Sequence, residues 1–301
     1  MTSETSVQPI VLRTNLADYP VTKGIRDGRV TSPTVRLDTS EAPKAAHNGF
    51  KPMLREHAFD CGELAIVTFL QAKCFGKPWV LLPAPISGRF QHHCIGYNSD
   101  FGEVSIKDIE GRDVGVRTYA QTTGLWVRGV LKHEYGVDLD KVTWVTSEDA
   151  HLAEYRDPAN CRRTPEGRKI PEMMLAGDVA AAILGNEMPE DERIRHLIPD
   201  PFKAAADWHA RTGVIPINHI FVVHQDLANE RPDLVAEIYR MITESRALAG
   251  EPALATQPPM GLEANRKCLQ MAIDWSLEQR IIPRRLTVDE LFSEATARLG
   301  A

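Results

Sequence analysis

Ten side chains in this sequence are of types, and at spacings, suited to binding a small anion and moving protons on it. His92 sits between Phe90 and an apolar run at 93–97. An imidazole with an ordinary pKa near ~6.5 exchanges protons at neutral pH, although one of His92 and His93 could do no more than cap a strand. Asp60 and Glu63 form an Asp-x-x-Glu pair. In an apolar cleft a carboxyl group can have its pKa raised and act as a proton donor. Ahead of the apolar run 64–70 the same spacing also reads as a helix capping box. Arg89, Arg117 and Arg128 each offer a planar fork that pairs two carboxylate oxygens at once; the alternative for each is a solvated surface position. Tyr119, Thr122 and Thr123 lie where a strand turns into a helix. Free backbone N–H groups and the helix dipole favour an anion there, and either threonine could instead simply cap the helix. His219, just after Pro216, could face a cleft or be a satisfied buried histidine. His151 and Glu154 are one helical turn apart but lack a third partner, so no metal is expected.

The elements that must carry these residues alternate. Short apolar runs at 79–82, 93–97, 114–116, 142–145, 179–183 and 220–223 are rich in β-branched or aromatic residues and read as strands. Between them lie stretches with helical periodicity. Leu234, Ile238, Met241 or Ile242, and Leu248 form one stripe, and Leu269, Ile273, Leu277 and Ile281 another. Pro232 and Asp233 suit a helix start, and Thr287 with Glu290 fits a capping box for the last helix. Alternation of this kind predicts an α/β chain with mostly parallel sheets flanked by helices. The middle reads as an insertion: residues 1–110 and 217–301 form one lobe, 111–216 a second, with a ligand cleft between them.

Composition narrows the function classes. The chain has 301 residues, 43% of them hydrophobic and 25% charged, and a net charge of −6. These are ordinary globular values, without a basic stripe, so nucleic acid is not an expected partner. No apolar run approaches the ~20 residues of a membrane span, and the polar start at Met1 does not read as an export signal. A cytoplasmic protein is expected. Five scattered cysteines without a C-x-x-C pair indicate neither zinc nor a disulfide framework.

Four stretches carry a family resemblance: Phe59-Asp60-Cys61-Gly62-Glu63-Leu64; Val114-Gly115-Val116-Arg117-Thr118-Tyr119-Ala120-Gln121-Thr122-Thr123-Gly124-Leu125-Trp126-Val127-Arg128; Thr212-Gly213-Val214-Ile215-Pro216-Ile217-Asn218-His219; and Gly261-Leu262-Glu263-Ala264-Asn265-Arg266. Together they resemble the 4,5-dihydroxyphthalate decarboxylase family, in order, from about Val11 to Phe292. The chain departs from the family pattern at Ser87-Gly88-Arg89-Phe90-Gln91-His92, where family members tend to have Ser-Arg-x-Phe-Arg-His. It departs again at Pro258-Pro259-Met260-Gly261, where the family has Trp-Pro-Tyr-Gly.

The resemblance implies a two-lobed fold like the type II periplasmic binding proteins, and non-oxidative loss of CO2 from a hydroxylated aromatic acid. Such chemistry needs no cofactor. It needs an acid near the carboxyl-bearing carbon, a partner for the phenol, and donors that fix the carboxylate. His92 (as the acid or as a hydrogen-bond partner of the phenol), Asp60 and Glu63 are the catalytic candidates; Arg89, Arg117, Tyr119, Thr122, Thr123, Arg128 and His219 are the substrate-binding ones. The expected partner is a small aromatic carboxylate, and assembly into a homo-oligomer is left open. Two other readings fit the same residues: a solute-binding protein that captures such an acid unchanged, and a related enzyme of the same fold acting on another small acid.

Overall fold

The computed structural model describes residues 8–250 and 256–300. The chain divides into two compact units. One comprises Met1–Arg89, Ile217–Gln270 and Leu286–Ala301; the other comprises Phe90–Pro216 and Met271–Arg285. The first passage between units therefore falls after Arg89, ahead of the position near 111 that the sequence suggested, and 271–285 joins the second unit.

In the first unit, β1 (Ile10–Asn15), β2 (Val35–Asp38), β3 (Cys61–Ala65), β4 (Trp79–Gly88) and β11 (Ile217–His224) form one sheet in the order β2-β1-β3-β11-β4. β1 runs parallel to β2 and β3, whereas β11 is antiparallel to both β3 and β4. Helices α1 (Lys23–Arg26), α2 (Phe50–Glu56) and α3 (Ile66–Cys74) precede β4. The core gathers Leu12, Leu37, Leu82 and Phe221 from the sheet with Leu234, Ile238, Met241 and Ile242 from the later helix Pro232–Ala247. Each such side chain contributes roughly 1.5–3 kcal/mol on burial.

The second unit holds β5 (Ile95–Asn98), β6 (Asp113–Val116), β7 (Thr143–Thr146), β8 (Cys161–Arg163), β9 (Ala181–Ile183) and β10 (Ile194–His196), in the order β10-β5-β9-β6-β7-β8. β9, β6, β7 and β8 are mutually parallel; β5 is antiparallel to β9 and to β10. α4 (Thr122–Tyr135) follows β6. It stops at Gly136, which takes a left-handed φ of 67°, while Gly136 N–H and Val137 N–H close back onto Lys132 and Leu131 carbonyls. α5 (Ile170–Leu175) and α6 (Pro201–Thr212) complete the insert. The chain then passes through α7 (Gln225–Glu230), α8 (Pro232–Ala247), α9 (Leu262–Glu278) and α10 (Glu294–Ala297).

Local start signals fare unevenly. Pro232 opens α8 as expected, but Leu248 lies beyond its end and is exposed. Asp60 caps no helix, because Cys61–Ala65 is a strand and α3 begins only at Ile66. Burial between β1 and β11 overrides the capping spacing there. The residue capping α4 is Gln121, so Thr122 and Thr123 are its first two helical residues. Thr287 and Glu290 do exchange capping-box bonds, over a 3-10 turn at Asp289–Leu291; the last helix is instead capped by Ser293.

Candidate functional site

Open α/β sheets bind ligands beyond the carboxyl ends of their parallel strands. In the first unit that edge is the end of β1 and β3, the end of β4, and the start of antiparallel β11. Glu63, His219 and Arg89 all belong to it.

Glu63 is fully buried in β3, opposite Phe221 of β11. His219 lies two residues away along β11, opposite Ala65. A diagonal neighbour on the same face is within reach of a long side chain, and Glu63 Oε2 indeed lies 2.8 Å from His219 Nδ1. The other oxygen, Oε1, accepts from the Ala17 N–H at 2.7 Å. Tyr19 also hydrogen-bonds to Glu63; burial, then the charge of Glu63 and this bond, hold its phenol well above the usual range, so it stays protonated. With a carboxylate as its partner, Nδ1 is the protonated nitrogen, which leaves Nε2 to exchange a proton. Among the described residues Nε2 has no hydrogen-bond partner, and the ring is 19% exposed with Phe50 edge-on at 5.3 Å. This is a histidine oriented by a buried acid, and it can give or take a proton at one defined atom.

Asp60 does not join this pair. It precedes β3 at the opposite edge, where its carboxylate accepts from Arg13 backbone N–H, Nε and Nη2, and where its carbonyl accepts from His224 N–H. Burial pushes its pKa up, but the Arg13 bonds and charge outweigh that, and the group ends below the ordinary value. An ion-paired carboxylate of depressed pKa is a poor proton donor, which removes the acid role the sequence allowed. Arg89 is half-buried just past β4.

In the second unit the corresponding edge is formed by the ends of β6, β7 and β9. There a cavity of ≈ 680 Å³ is lined by Arg117, Ser147, Glu148, Arg163, Leu184 and Glu187, among others. Its size is that of a small-molecule site. Arg117 meets Glu187 through Nη1 at 3.5 Å and Glu148 through Nε at 3.8 Å, both long contacts, and the buried Nε makes no hydrogen bond among the described residues. Thr122 and Thr123 are buried at the start of α4.

His92 lies beside this edge, just before β5, and is only 2% exposed with Trp208 edge-on at 5.8 Å. Burial, then the charges of His93 and Arg211, lower its pKa to about 4. The ring is therefore neutral at physiological pH, which favours the second of its two expected roles, a hydrogen-bond partner, over that of a cationic acid.

Arg128 is entirely buried and belongs to the packing of the second unit. Its Nε donates to Gln279 Oε1 at 2.8 Å and its Nη2 to the Tyr119 carbonyl at 2.7 Å, while the guanidinium lies 3.9 Å from the Tyr119 ring centre. Tyr119 in turn donates its hydroxyl to the Gln279 carbonyl at 3.1 Å. These two residues anchor the β6–α4 turn, while Arg128 Nη1 is buried without a hydrogen-bond partner among the described residues. The described residues contain no His, Cys, Asp and Glu cluster arranged to hold a metal.

The sequence had Glu63 and His219 as separate candidates, and Tyr19 was missed altogether. No local spacing joins positions 63 and 219; only the β3–β11 pairing does.

No family model matches the chain. It is 28% identical over 210 residues to a 4,5-dihydroxyphthalate decarboxylase of Comamonas testosteroni, covering 64% of this chain and 62% of that one. It is 28% identical over 168 residues to one of Pseudomonas putida, covering 52% and 65%. The match thus spans less than two thirds of either relative's length. Among solved structures, the periplasmic aliphatic sulphonate binding protein SsuA of Escherichia coli superposes with a TM-score of 0.62 at 12% identity, over 95% of this chain and 93% of that one. The alkanesulfonate-binding SsuA of Xanthomonas axonopodis, bound to MOPS, gives 0.57 at 14% identity, over 95% and 99%. A variant of the desulfurization enzyme DSZB in complex with biphenyl-2-sulfinic acid gives 0.54 at 12% identity, over 94% and 97%. The chain thus resembles 4,5-dihydroxyphthalate decarboxylases in sequence and has a fold like that of the periplasmic binding proteins.

Proposed function

We propose that this chain removes CO2 non-oxidatively from a hydroxylated aromatic carboxylic acid, with 4,5-dihydroxyphthalate, giving protocatechuate, as the default substrate. That makes it a carboxy-lyase. The observation carrying this reading is the Glu63–His219 pair, with Nδ1 tied to a buried carboxylate and Nε2 open. The likeness to the two decarboxylases supports the substrate class.

The reaction consumes one proton for each CO2 released. A hydroxyl para to the departing carboxylate pushes electron density into the ring, and protonated His219 delivers its Nε2 proton to the carboxyl-bearing carbon. The C–C bond to the carboxylate then breaks. Its electron pair restores aromaticity, CO2 leaves, and the partly exposed imidazole takes a new proton from solvent. Glu63 matches the charge of the imidazolium and fixes its orientation, as a buried carboxylate does for a catalytic histidine elsewhere. Tyr19 and the Ala17 N–H hold Glu63 in turn. Arg89, at the same edge of the first unit, is the arginine proposed to hold a carboxylate oxygen beside His219; within the second unit Arg117, Thr122 and Thr123 are the proposed carboxylate donors. His92, neutral and with an unpartnered Nδ1 among the described residues, is assigned to hydrogen bonding with the phenol. None of the five cysteines is in a disulfide, which suits a reducing, cytoplasmic setting.

Substituting His219→Gln should lower turnover by at least ~100-fold, the usual contribution of a positioned acid, while the affinity for an unreactive aromatic acid survives. Turnover unchanged in that variant, measured as CO2 release, would remove His219 from the mechanism. Tight binding without release across dihydroxyphthalate and hydroxybenzoates by the unmodified chain would favour a solute-binding role instead.

A further inference from the structure

The residue directly across from His219 on the other side of β11 is Ser87 of β4. Directly opposed residues of an antiparallel pair share a face, with Cβ atoms about 5 Å apart. Ser87 therefore lies on the same face as His219 and Glu63, at the carboxyl edge of the sheet. It is half-buried, and among the described residues its hydroxyl has no hydrogen-bond partner. The β11–β4 ladder shifts register on both sides of this pair, between Ile217 and His219 and between His219 and Ile220. Such irregularities re-aim side chains and recur beside active sites.

A hydroxyl next to a histidine oriented by an acid could be a nucleophile, but no Ser87–His219 hydrogen bond is made, and decarboxylation forms no acyl intermediate. We infer instead that Ser87 donates a hydrogen bond to a second carboxylate ortho to the one that leaves, and so selects ortho-dicarboxylates. The inference rests on His219 being the acid at the carboxyl-bearing carbon. When Nε2 faces that carbon, the adjoining ring position and its substituent fall beside the residue next to His219. Arg89 follows two positions later at the same edge and supplies a cation. Chemistry gives this contact a purpose. In 4,5-dihydroxyphthalate each carboxylate is para to one hydroxyl, and the product still has a carboxylate para to a hydroxyl. Ring electronics alone do not stop the reaction after one CO2. A donor reserved for the carboxylate that stays does, because the mono-acid product leaves it unfilled.

The test uses the full chain and two acids that lack the hydroxyl needed for decarboxylation: phthalate and benzoate. By titration calorimetry the unmodified protein should bind phthalate at least ~10-fold more tightly than benzoate, as one hydrogen bond to a charged group allows. Ser87→Ala should reduce phthalate affinity by about that factor and leave benzoate affinity alone, whereas Ser87→Thr should keep the preference. Absence of a preference in the unmodified protein, or equal losses for both acids in Ser87→Ala with Ser87→Thr normally folded and equally weak, overturns the assignment. Phthalate selection through Ser87 together with no CO2 release from any hydroxylated acid would instead overturn the decarboxylase reading and leave the carboxylate contact standing.

Discussion

His219 presents a single ring nitrogen to a substrate because the other is held by Glu63, and that makes Glu63→Gln the sharpest residue-level variant. An amide side chain of the same shape keeps the packing but no longer balances an imidazolium. Turnover should fall by roughly 10- to 100-fold, and pre-steady-state measurement should place the loss in the chemical step; a loss in substrate affinity alone would contradict the role. His92 calls for a measurement of stability. Its folded pKa, about 4, lies below the ordinary ~6.5, so between these values the unfolded chain binds more protons than the folded one. Stability is then complete above pH ~6.5 and is lost as the pH falls towards 4, by up to about 3 kcal/mol. His92→Gln should flatten that part of the urea-denaturation profile; an unchanged slope between pH 7 and 5 would show that the ring does not titrate as described. Both residues were visible as candidates in the sequence, but their surroundings were not: Trp208 packs on His92, and the partner of His219 lies 156 positions away in another strand.

Two elements set the geometry on which these side chains depend. β3 presses against β1 at Gly62, whose φ of 145° suits glycine and where a Cβ would lie 2.3 Å from the Asn15 carbonyl oxygen. Gly62→Ala should therefore destabilise the protein by more than ~2 kcal/mol and displace the adjacent Glu63; a melting temperature equal to that of the parent would refute the close approach. In the second unit α4 is held by Arg128 and by the contact of Gly129 with Trp275, where a Cβ would meet the indole at 1.9 Å. Arg128→Ala should lower stability by about 3 kcal/mol, since it leaves Gln279 and the Tyr119 carbonyl without their donor. Weakened ligand binding at unchanged stability would instead restore Arg128 as a carboxylate ligand. The strands β4, β6, β7, β9 and β11 and the long helices α4, α8 and α9 were legible in hydrophobic pattern. β3 was not, because its Asp-x-x-Glu start imitates a helix cap and its five residues, all buried, show no alternation.

At the level of the whole chain, alternation of strands and helices already indicated an α/β protein with an inserted segment, and the four motif stretches indicated the relatives. The division after Arg89, and the attachment of 271–285 to the second unit, were not readable, since sequence pattern does not say which sheet a strand joins. The site was legible as a list of residue types but not as a set of neighbours: Glu63 and His219 became a pair only through β3–β11 pairing, and Ser87 only through β11–β4. The central claim is that the chain releases CO2 from a hydroxylated aromatic acid through His219. Its most direct test is CO2 release from 4,5-dihydroxyphthalate by the purified full chain, with and without a metal chelator, beside His219→Gln. Stoichiometric CO2 and protocatechuate from the parent, with at least a ~100-fold lower rate from the variant, is the expected result. No release from the parent, or equal release from both, would contradict it.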